Sequence, residues 1–180
     1  MATEEKNAPW LKYYGNIPAH LDYPDLTMYE AVKAAADKYP DDKILEFFGK
    51  YTTYTEMMKK IDGIAGSLVR IGIGKGDRVS ICMPNTPQAI EMMYALNRIG
   101  AISNMIHPLS APEEILHYIN FSHSKAILIL DRFYPKFTEI RSRLSQNTVP
   151  IVARIQDELP PLKKVIFPLT QKNQPPVPKD

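Results

Sequence analysis

Four short apolar runs at regular spacing limit the possible folds of this chain more than any other feature. The runs are VSICM, ISNMI, AILIL and VPIVA, at residues 79–83, 102–106, 126–130 and 149–153, and segments with helical periodicity separate them. Strands that alternate with helices in this way form βαβ units, whose right-handed crossovers keep the strands parallel. Continuous apolar runs also suit a sheet that is covered on both faces. The sequence therefore predicts an α/β fold with a parallel sheet flanked by helices.

Capping signals mark where the helices begin. A threonine or serine followed three residues later by glutamate can form a capping box, in which each side chain bonds the other residue's main-chain N–H. Pro87 after Thr86 is a further start signal, because proline suits the first turn of a helix. A last helix is predicted over about residues 134–144. The predicted capping boxes are Thr27 with Glu30, Thr53 with Glu56, and Ser110 with Glu113.

Helical spacing also predicts which side chains of the first two helices face the core. In the first helix these are Met28, Val32, Ala35 and Tyr39. In the second they are Met57, Ile61, Ile64, Ala65, Leu68 and Val69.

Turn and strand signals complete the secondary-structure prediction. The segment KILEFFGKYTTY reads as two strands joined by a type II′ turn at Gly49-Lys50, because glycine suits the first position of that turn. Pro150 lacks an N–H, which places the strand VPIVA at a sheet edge or starts it at the proline. The run KVIF at 164–167 predicts one more short strand.

Composition divides the chain into three predicted parts. Residues 1–24 have no period and are predicted to be an arm, and residues 25–158 form part of an α/β domain. Residues 159–180 are rich in proline, which predicts an extended tail that leads into further polypeptide. The prolines of this tail are Pro160, Pro161, Pro168, Pro175, Pro176 and Pro178.

Charge and cysteine content exclude several classes of protein. The net charge is +2 and the basic residues are spread along the chain, so no nucleic-acid partner is expected. A single cysteine, Cys82, allows no internal disulfide and suits a reducing compartment. The polar start MATEEKNAPW is no signal peptide, and the longest aliphatic run is too short for a transmembrane segment. A cytoplasmic location is therefore expected.

The glycine-rich stretch RIGIGKGDRVSI poses the question of a phosphate site. A phosphate-binding glycine loop follows a strand and precedes a helix, whose N-terminus attracts the anion. Here the order is reversed, because Gly72 to Gly76 follow a helix and precede a strand. A turn is therefore predicted, with Gly72 ending the helix and Lys75 as a cation near that end.

The carboxyl edge of the sheet is the other place for chemistry, since open α/β sheets bind ligands there. It is predicted to carry residues 83–85, 107–110 and 131–132. His107 with Asp131 could form an acid–base pair, and Cys82 with His107 a thiol–imidazole pair, but no motif supports either. The positions of His20, His117 and His123 do not form the ligand cluster that a zinc site needs.

A family resemblance emerges along residues 26–131. The most specific pieces are YTTYTEM, GKGDRVSICMPNTP and NRIGAISNMIHPLS. Together they resemble the N-terminal part of AMP-forming acyl-CoA synthetases, in the adenylate-forming superfamily. The resemblance implies the start of that family's large N-terminal domain. The last piece is more similar to fatty-acyl and aryl-acyl ligases than to amino-acid-activating modules.

The resemblance also implies an activity for the full-length enzyme. Such enzymes use ATP and Mg²⁺ to convert a carboxylic acid to an acyl-adenylate, and then transfer the acyl group to coenzyme A. The family's phosphate loop, its ribose-binding aspartate and its C-terminal catalytic lysine match no position here. No catalytic, cofactor-binding or metal-binding residue is therefore assigned, and none of the cofactors is expected to bind this chain tightly.

The sequence thus favours an N-terminal portion of an acyl-CoA synthetase that is inactive alone. Two alternatives stay open: a stand-alone α/β binding or interaction module, and a non-catalytic subunit that pairs with a separate catalytic chain. An unpaired strand edge and an uncovered face predict that the chain is weakly stable or self-associates.

Overall fold

The protein is described by a computed structural model that covers residues 8–170. The helices are α1 Met28–Lys38, α2 Tyr54–Arg70, α3 Pro87–Arg98, α4 Pro112–Ser122, α5 Tyr134–Ile140 and α6 Pro161–Thr170. The strands are β1 Lys43–Phe47, β2 Lys50–Thr53, β3 Arg78–Cys82, β4 Ile102–Met105, β5 Ala126–Leu130 and β6 Val149–Ala153. Short 3₁₀ helices lie at Leu11–Tyr13, Asp131–Phe133, Arg141–Arg143 and Ile155–Glu158.

The four predicted apolar runs form one sheet. Its strand order is β4-β3-β5-β6, and every neighbouring pair is parallel. The predicted fold class is confirmed, and Pro150 lies in a strand at the edge of the sheet among the described residues. A separate antiparallel hairpin pairs β1 with β2.

Helices cover both faces of the sheet, as the apolar strands predicted. Along β5 the side chains alternate: Leu128 and Leu130 join a cluster with α1, α2 and α3, whereas Ile127 and Ile129 join a cluster with α4 and α5. Every residue of β5 is buried. Two cores separated by one sheet result, which is the layered arrangement of a βαβ fold.

Two of the three predicted capping boxes are confirmed. Thr27 with Glu30 and Thr53 with Glu56 make both reciprocal bonds. The third prediction is wrong by one residue, because α4 begins at Pro112 and only half of a box is made: the Ala111 N–H donates to Glu114 Oε2 at 3.0 Å. Proline fixes the first helical position, so the cap falls on alanine, which has no oxygen to reciprocate.

The inward-facing sets predicted for α1 and α2 are partly right. In α1 the buried residues are Val32 and Ala36, rather than Ala35, and Met28 and Tyr39 are about half exposed. In α2 the predicted stripe is buried except for Ile64, which is half-buried, and Val69, which is exposed. The buried stripe of α1 thus includes Ala36 in place of Ala35, and that of α2 is narrower than predicted.

The hairpin turn differs from its predicted type. The loop is Phe48-Gly49, and both residues have positive φ, 52° and 86°. Two positive φ values in a two-residue loop are the mark of a type I′ turn, not type II′. Pairing of Phe47 with Lys50 fixes this register, so Lys50 belongs to β2 instead of the loop.

The segment after β6 is helical where an extended tail was predicted. Residues 164–167 lie within α6, so the predicted KVIF strand is wrong. Pro161 occupies the first position of α6, where a missing N–H costs nothing, and Leu162, Val165 and Ile166 recur at helical spacing. The rest of the predicted tail, residues 171–180, lies outside the described part. Within residues 8–170, no helix is both long and apolar enough to cross a membrane.

Candidate functional site

The carboxyl ends of the strands β3 to β6 meet at an open crevice of about 660 Å³. Because parallel strands all end at the same edge of the sheet, the loops that follow them converge there. The chain leaves β3 toward β4 on one side and returns to β5 on the other, and this change of direction opens the crevice. Its lining comprises Met83, Pro84, Asn85, Met105, Ile106, His107, Pro108, Leu109, Leu130, Arg132, Phe133 and Ile155.

A lysine from α5 holds one wall of this crevice. Lys136 Nζ donates to the carbonyl oxygens of Ser110 at 2.7 Å and Pro108 at 3.2 Å. The imidazole Nδ1 of His107 accepts from the Leu109 N–H at 3.3 Å. The loop after β4 is therefore fixed by polar contacts on both sides of Pro108.

The crevice combines an apolar floor with a cationic rim. Met83, Ile106 and Leu130 form buried parts of the lining, and the Arg132 side chain is exposed at its border. Such a surface can hold an apolar group and attract an anionic one. It offers no nucleophile with an adjacent base among the described residues.

The two residues predicted as a possible acid–base pair serve local structure instead. Asp131 Oδ1 accepts from the Arg132 N–H at 2.7 Å, and His107 bonds the Leu109 N–H. Neither a hydrogen bond nor an ion pair joins His107 to Asp131 in the described part of the chain. The structure thus gives no support to an acid–base role for this pair.

The possible thiol–imidazole pair is absent too. Cys82 is fully buried in β3, and its Sγ lies 3.9 Å from the carbonyl oxygen of His107, not from the imidazole. Burial raises the pKa of the Cys82 thiol to about 11, and the charge of Lys136 offsets this only in part. A thiol in this state behaves as a small apolar side chain.

We expect Cys82 to resist alkylation in the native chain. The unfolded thiol has a pKa near 8.5, so its thiolate fraction at neutral pH should be at least about 100-fold higher than in the folded state. The measurement is the rate of iodoacetamide labelling by mass spectrometry, with the same chain in urea as the control. Equal rates in both conditions would contradict the buried position of Cys82.

The glycine-rich stretch forms a turn, as predicted. Gly72 has a φ of 85° and ends α2, with Gly72 N–H bonded to Val69 O and Ile73 N–H to Leu68 O. These two bonds define a Schellman motif, in which glycine relieves the strain of the left-handed conformation. The stem of Lys75 lies against Gly100, the glycine that follows α3. The turn lies after a helix, where a phosphate would meet the negative end of the dipole.

A buried charge cluster was missed by the sequence analysis. Lys60 Nζ on α2 contacts Glu91 on α3 at 2.9 Å and Glu158, in the 3₁₀ helix after β6, at 2.8 Å. Lys50 reaches Glu158 at 3.0 Å. The side chains of Glu91 and Glu158 are only 3% and 9% exposed. One signal in the sequence could have indicated this cluster: Glu91 lies within the apolar stripe of α3, next to Met92 and four residues before Ala95.

The environment sets the ionisation of this cluster. Burial raises the pKa of Glu91, and the hydrogen bond from Lys60 opposes that effect incompletely. Burial also disfavours the charged form of Glu158, but the hydrogen bonds from Lys60 and Lys50 outweigh it and lower its pKa. Beside the cluster lies a mainly apolar groove of about 560 Å³, bordered by α2, α3 and Ile151 of β6.

Histidines do not gather into a metal site. His117 stacks on Phe121 with ring centroids 5.9 Å apart, and His123 ends α4 in a left-handed conformation. In residues 8–170, no three His, Cys, Asp or Glu side chains lie close enough to hold a metal ion.

Comparison with known proteins identifies the family. The sequence profile of the AMP-binding enzymes matches residues 32–180, most of the chain. The chain belongs to the AMP-binding enzyme family. A long-chain-fatty-acid–CoA ligase of Bacillus subtilis is 30% identical over 171 residues, which cover 94% of this chain and 30% of that protein. These two matches confirm the predicted resemblance to adenylate-forming acyl-CoA synthetases.

Solved structures of other proteins share the fold. A long-chain-fatty-acid-CoA ligase from Archaeoglobus fulgidus superposes with a TM-score of 0.67 at 21% identity, over 77% of this chain and 30% of that one. The N-terminal subdomain of NpsA from Klebsiella oxytoca superposes with a TM-score of 0.59 at 19% identity, over 70% of this chain and 30% of that one. The chain thus spans about 30% of the length of the relatives that it matches.

Proposed function

We propose that this chain is the N-terminal part of an acyl-CoA synthetase that activates a fatty acid through an acyl-adenylate. The observation that carries the proposal is the match to the fatty-acid–CoA ligase of Bacillus subtilis along 94% of this chain. The complete enzyme would use ATP, Mg²⁺ and coenzyme A. We also place it in the cytoplasm, because its single cysteine suits a reducing compartment.

The described residues do not fit ATP or Mg²⁺. The glycine-rich turn follows a helix rather than preceding one, and no cluster of metal ligands occurs in residues 8–170. Among its described lining residues, the carboxyl-edge crevice has one cation, Arg132, and no catalytic pair. Our proposal therefore gives these residues a scaffolding role, in which the crevice forms one wall of a site completed by other parts of the enzyme.

We expect the purified chain to release no pyrophosphate from ATP in the presence of Mg²⁺, coenzyme A and a panel of fatty acids. The physical reason is that binding and charge stabilisation of the transferring phosphate need donors that the described crevice lacks. A coupled pyrophosphate assay makes the measurement, and the intact ligase of Bacillus subtilis is the positive control. Turnover by the chain above background would refute its inactivity.

Calorimetry with ATP, AMP and coenzyme A separates this proposal from the alternatives. Tight binding of any of the three to the purified chain would favour a stand-alone binding module. Copurification with a separate catalytic chain would favour a non-catalytic subunit. The proposal expects neither result.

A further inference from the structure

Among the described residues, no strand pairs with the outer edge of β6. The Val149 N–H donates to Lys125 O at 2.9 Å. The main-chain N–H and C=O groups of Val149, and of every second residue after it, therefore point toward β5. Because main-chain groups alternate along a strand, those of Pro150, Val152 and Arg154 point away from the sheet. These three residues are therefore the ones that a further strand would meet.

At two positions on this edge, one main-chain group cannot bond a further strand. Pro150 has no N–H to donate. The carbonyl oxygen of Arg154 already accepts from Gln88 Nε2 at 2.9 Å and from the Asp157 N–H at 3.2 Å. The groups left for a partner are the carbonyl of Pro150, both groups of Val152 and the N–H of Arg154.

An antiparallel copy of the same strand matches this set. If a two-fold axis passes through the Val152 pair, the two valines exchange two hydrogen bonds, and each Arg154 lies opposite Pro150 of the other copy. Each Arg154 N–H then reaches a free Pro150 carbonyl. Regular antiparallel pairing would also call for a bond from Pro150 N to Arg154 O. Pro150 has no N–H to donate, and Arg154 O is already bonded within its own chain, so the absence of this bond costs nothing. No group is left without a partner by this pairing.

We propose that a second copy of this chain pairs with the β6 edge to form a two-fold dimer with a continuous sheet. The apolar groove beside the cluster of Lys60 supports the choice of edge, because it borders Ile151 of β6 and has room for side chains of an added strand. Opposite Ile151 the pairing places the small side chain of Ala153. The dimer goes beyond the proposed enzymatic function and does not depend on it.

The test uses proline as a selective block. Val152→Pro removes the N–H at the centre of the proposed pairing. Because this N–H points away from β5, the substitution leaves the hydrogen bonds between β5 and β6 in place, as Pro150 does in the wild type. The matched control is Ser103→Pro in β4, the strand at the opposite edge of the sheet. The Ile102 N–H bonds Asp77 O, in the turn before β3, so the N–H of the next residue, Ser103, points away from the sheet. Light scattering after size-exclusion chromatography measures the mass at several concentrations.

We expect a concentration-dependent dimer for the wild type and for Ser103→Pro. For Val152→Pro we expect dimerisation at least about tenfold weaker, because two symmetric hydrogen bonds are lost. A monomeric wild type, or loss of the dimer only in Ser103→Pro, would overturn the proposal. Should Val152→Pro fail to fold, amide hydrogen exchange of the wild type decides: the Val152 and Arg154 amides must gain protection on concentration, and equal exchange rates would overturn it.

Discussion

Replacing Phe137 by alanine is expected to lower the free energy of unfolding by about 3–5 kcal/mol. Phe137 on α5 is fully buried, and its ring centroid lies 6.0 Å from that of Tyr134. It fills the core between the sheet and the two helices α4 and α5, where Ile119 and Ile129 are also fully buried. Truncation would remove apolar contact and leave a cavity that this close-packed layer cannot fill.

Phe121→Ala is the matched control for this substitution. Phe121 lies on the neighbouring helix α4 but is 79% exposed, so the same chemical change should alter stability by less than about 1 kcal/mol. Urea denaturation followed by circular dichroism measures both variants. Equal losses in the two would show that the core under α5 is not packed as described.

Replacing Lys60 by methionine is expected to destabilise the fold by about 2–3 kcal/mol. Removal of one member of a buried ion pair costs roughly 3–5 kcal/mol, because the remaining charge stays desolvated, and the partial exposure of Lys60 reduces that figure. Glu91 would lose its described cationic partner, and Glu158 would retain only Lys50. Methionine keeps the length and packing of the lysine stem, so the loss reports the charge.

Two further variants test the origin of this loss. Lys59→Met changes the neighbouring exposed lysine and should leave stability within about 0.5 kcal/mol of the wild type. Adding Glu91→Gln and Glu158→Gln to Lys60→Met should recover part of the stability, because uncharged amides cost less to bury than carboxylates. No recovery in the combined variant, measured by urea denaturation, would argue against uncompensated charge as the cause.

The sheet could be predicted from the sequence because its signals are strong and local. Runs such as AILIL have one interpretation in a chain of alternating strands and helices, and the strands begin and end within a residue or two of the prediction. The turn at Phe48-Gly49 and the start of α4 were each predicted one residue away from their true position. The turn depends on the pairing of Phe47 with Lys50 across the hairpin, and the start of α4 depends on Pro112, which takes the first helical position. The helix α6 was hidden by the prolines around it.

The candidate site was predictable in place but not in detail. Parallel strands bring residues 83–85, 107–109 and 132 to one edge whatever their side chains are, so the location of the crevice follows from topology. The direction of a side chain does not, which is why His107 and Asp131 looked like a pair and are not one. The contact of Lys60 with Glu158 joins residues 98 positions apart, and no local pattern reports it.

The position of Glu158 in the chain has a consequence for synthesis on the ribosome. Lys60 and Glu91 emerge early and can meet as soon as α2 and α3 pack together. Glu158 emerges after both of them. Its contacts with Lys60 and Lys50 can therefore form only after β6 has left the exit tunnel. A nascent chain halted before that point would hold α2 packed on α3 without the charged contact that joins them to the segment after β6.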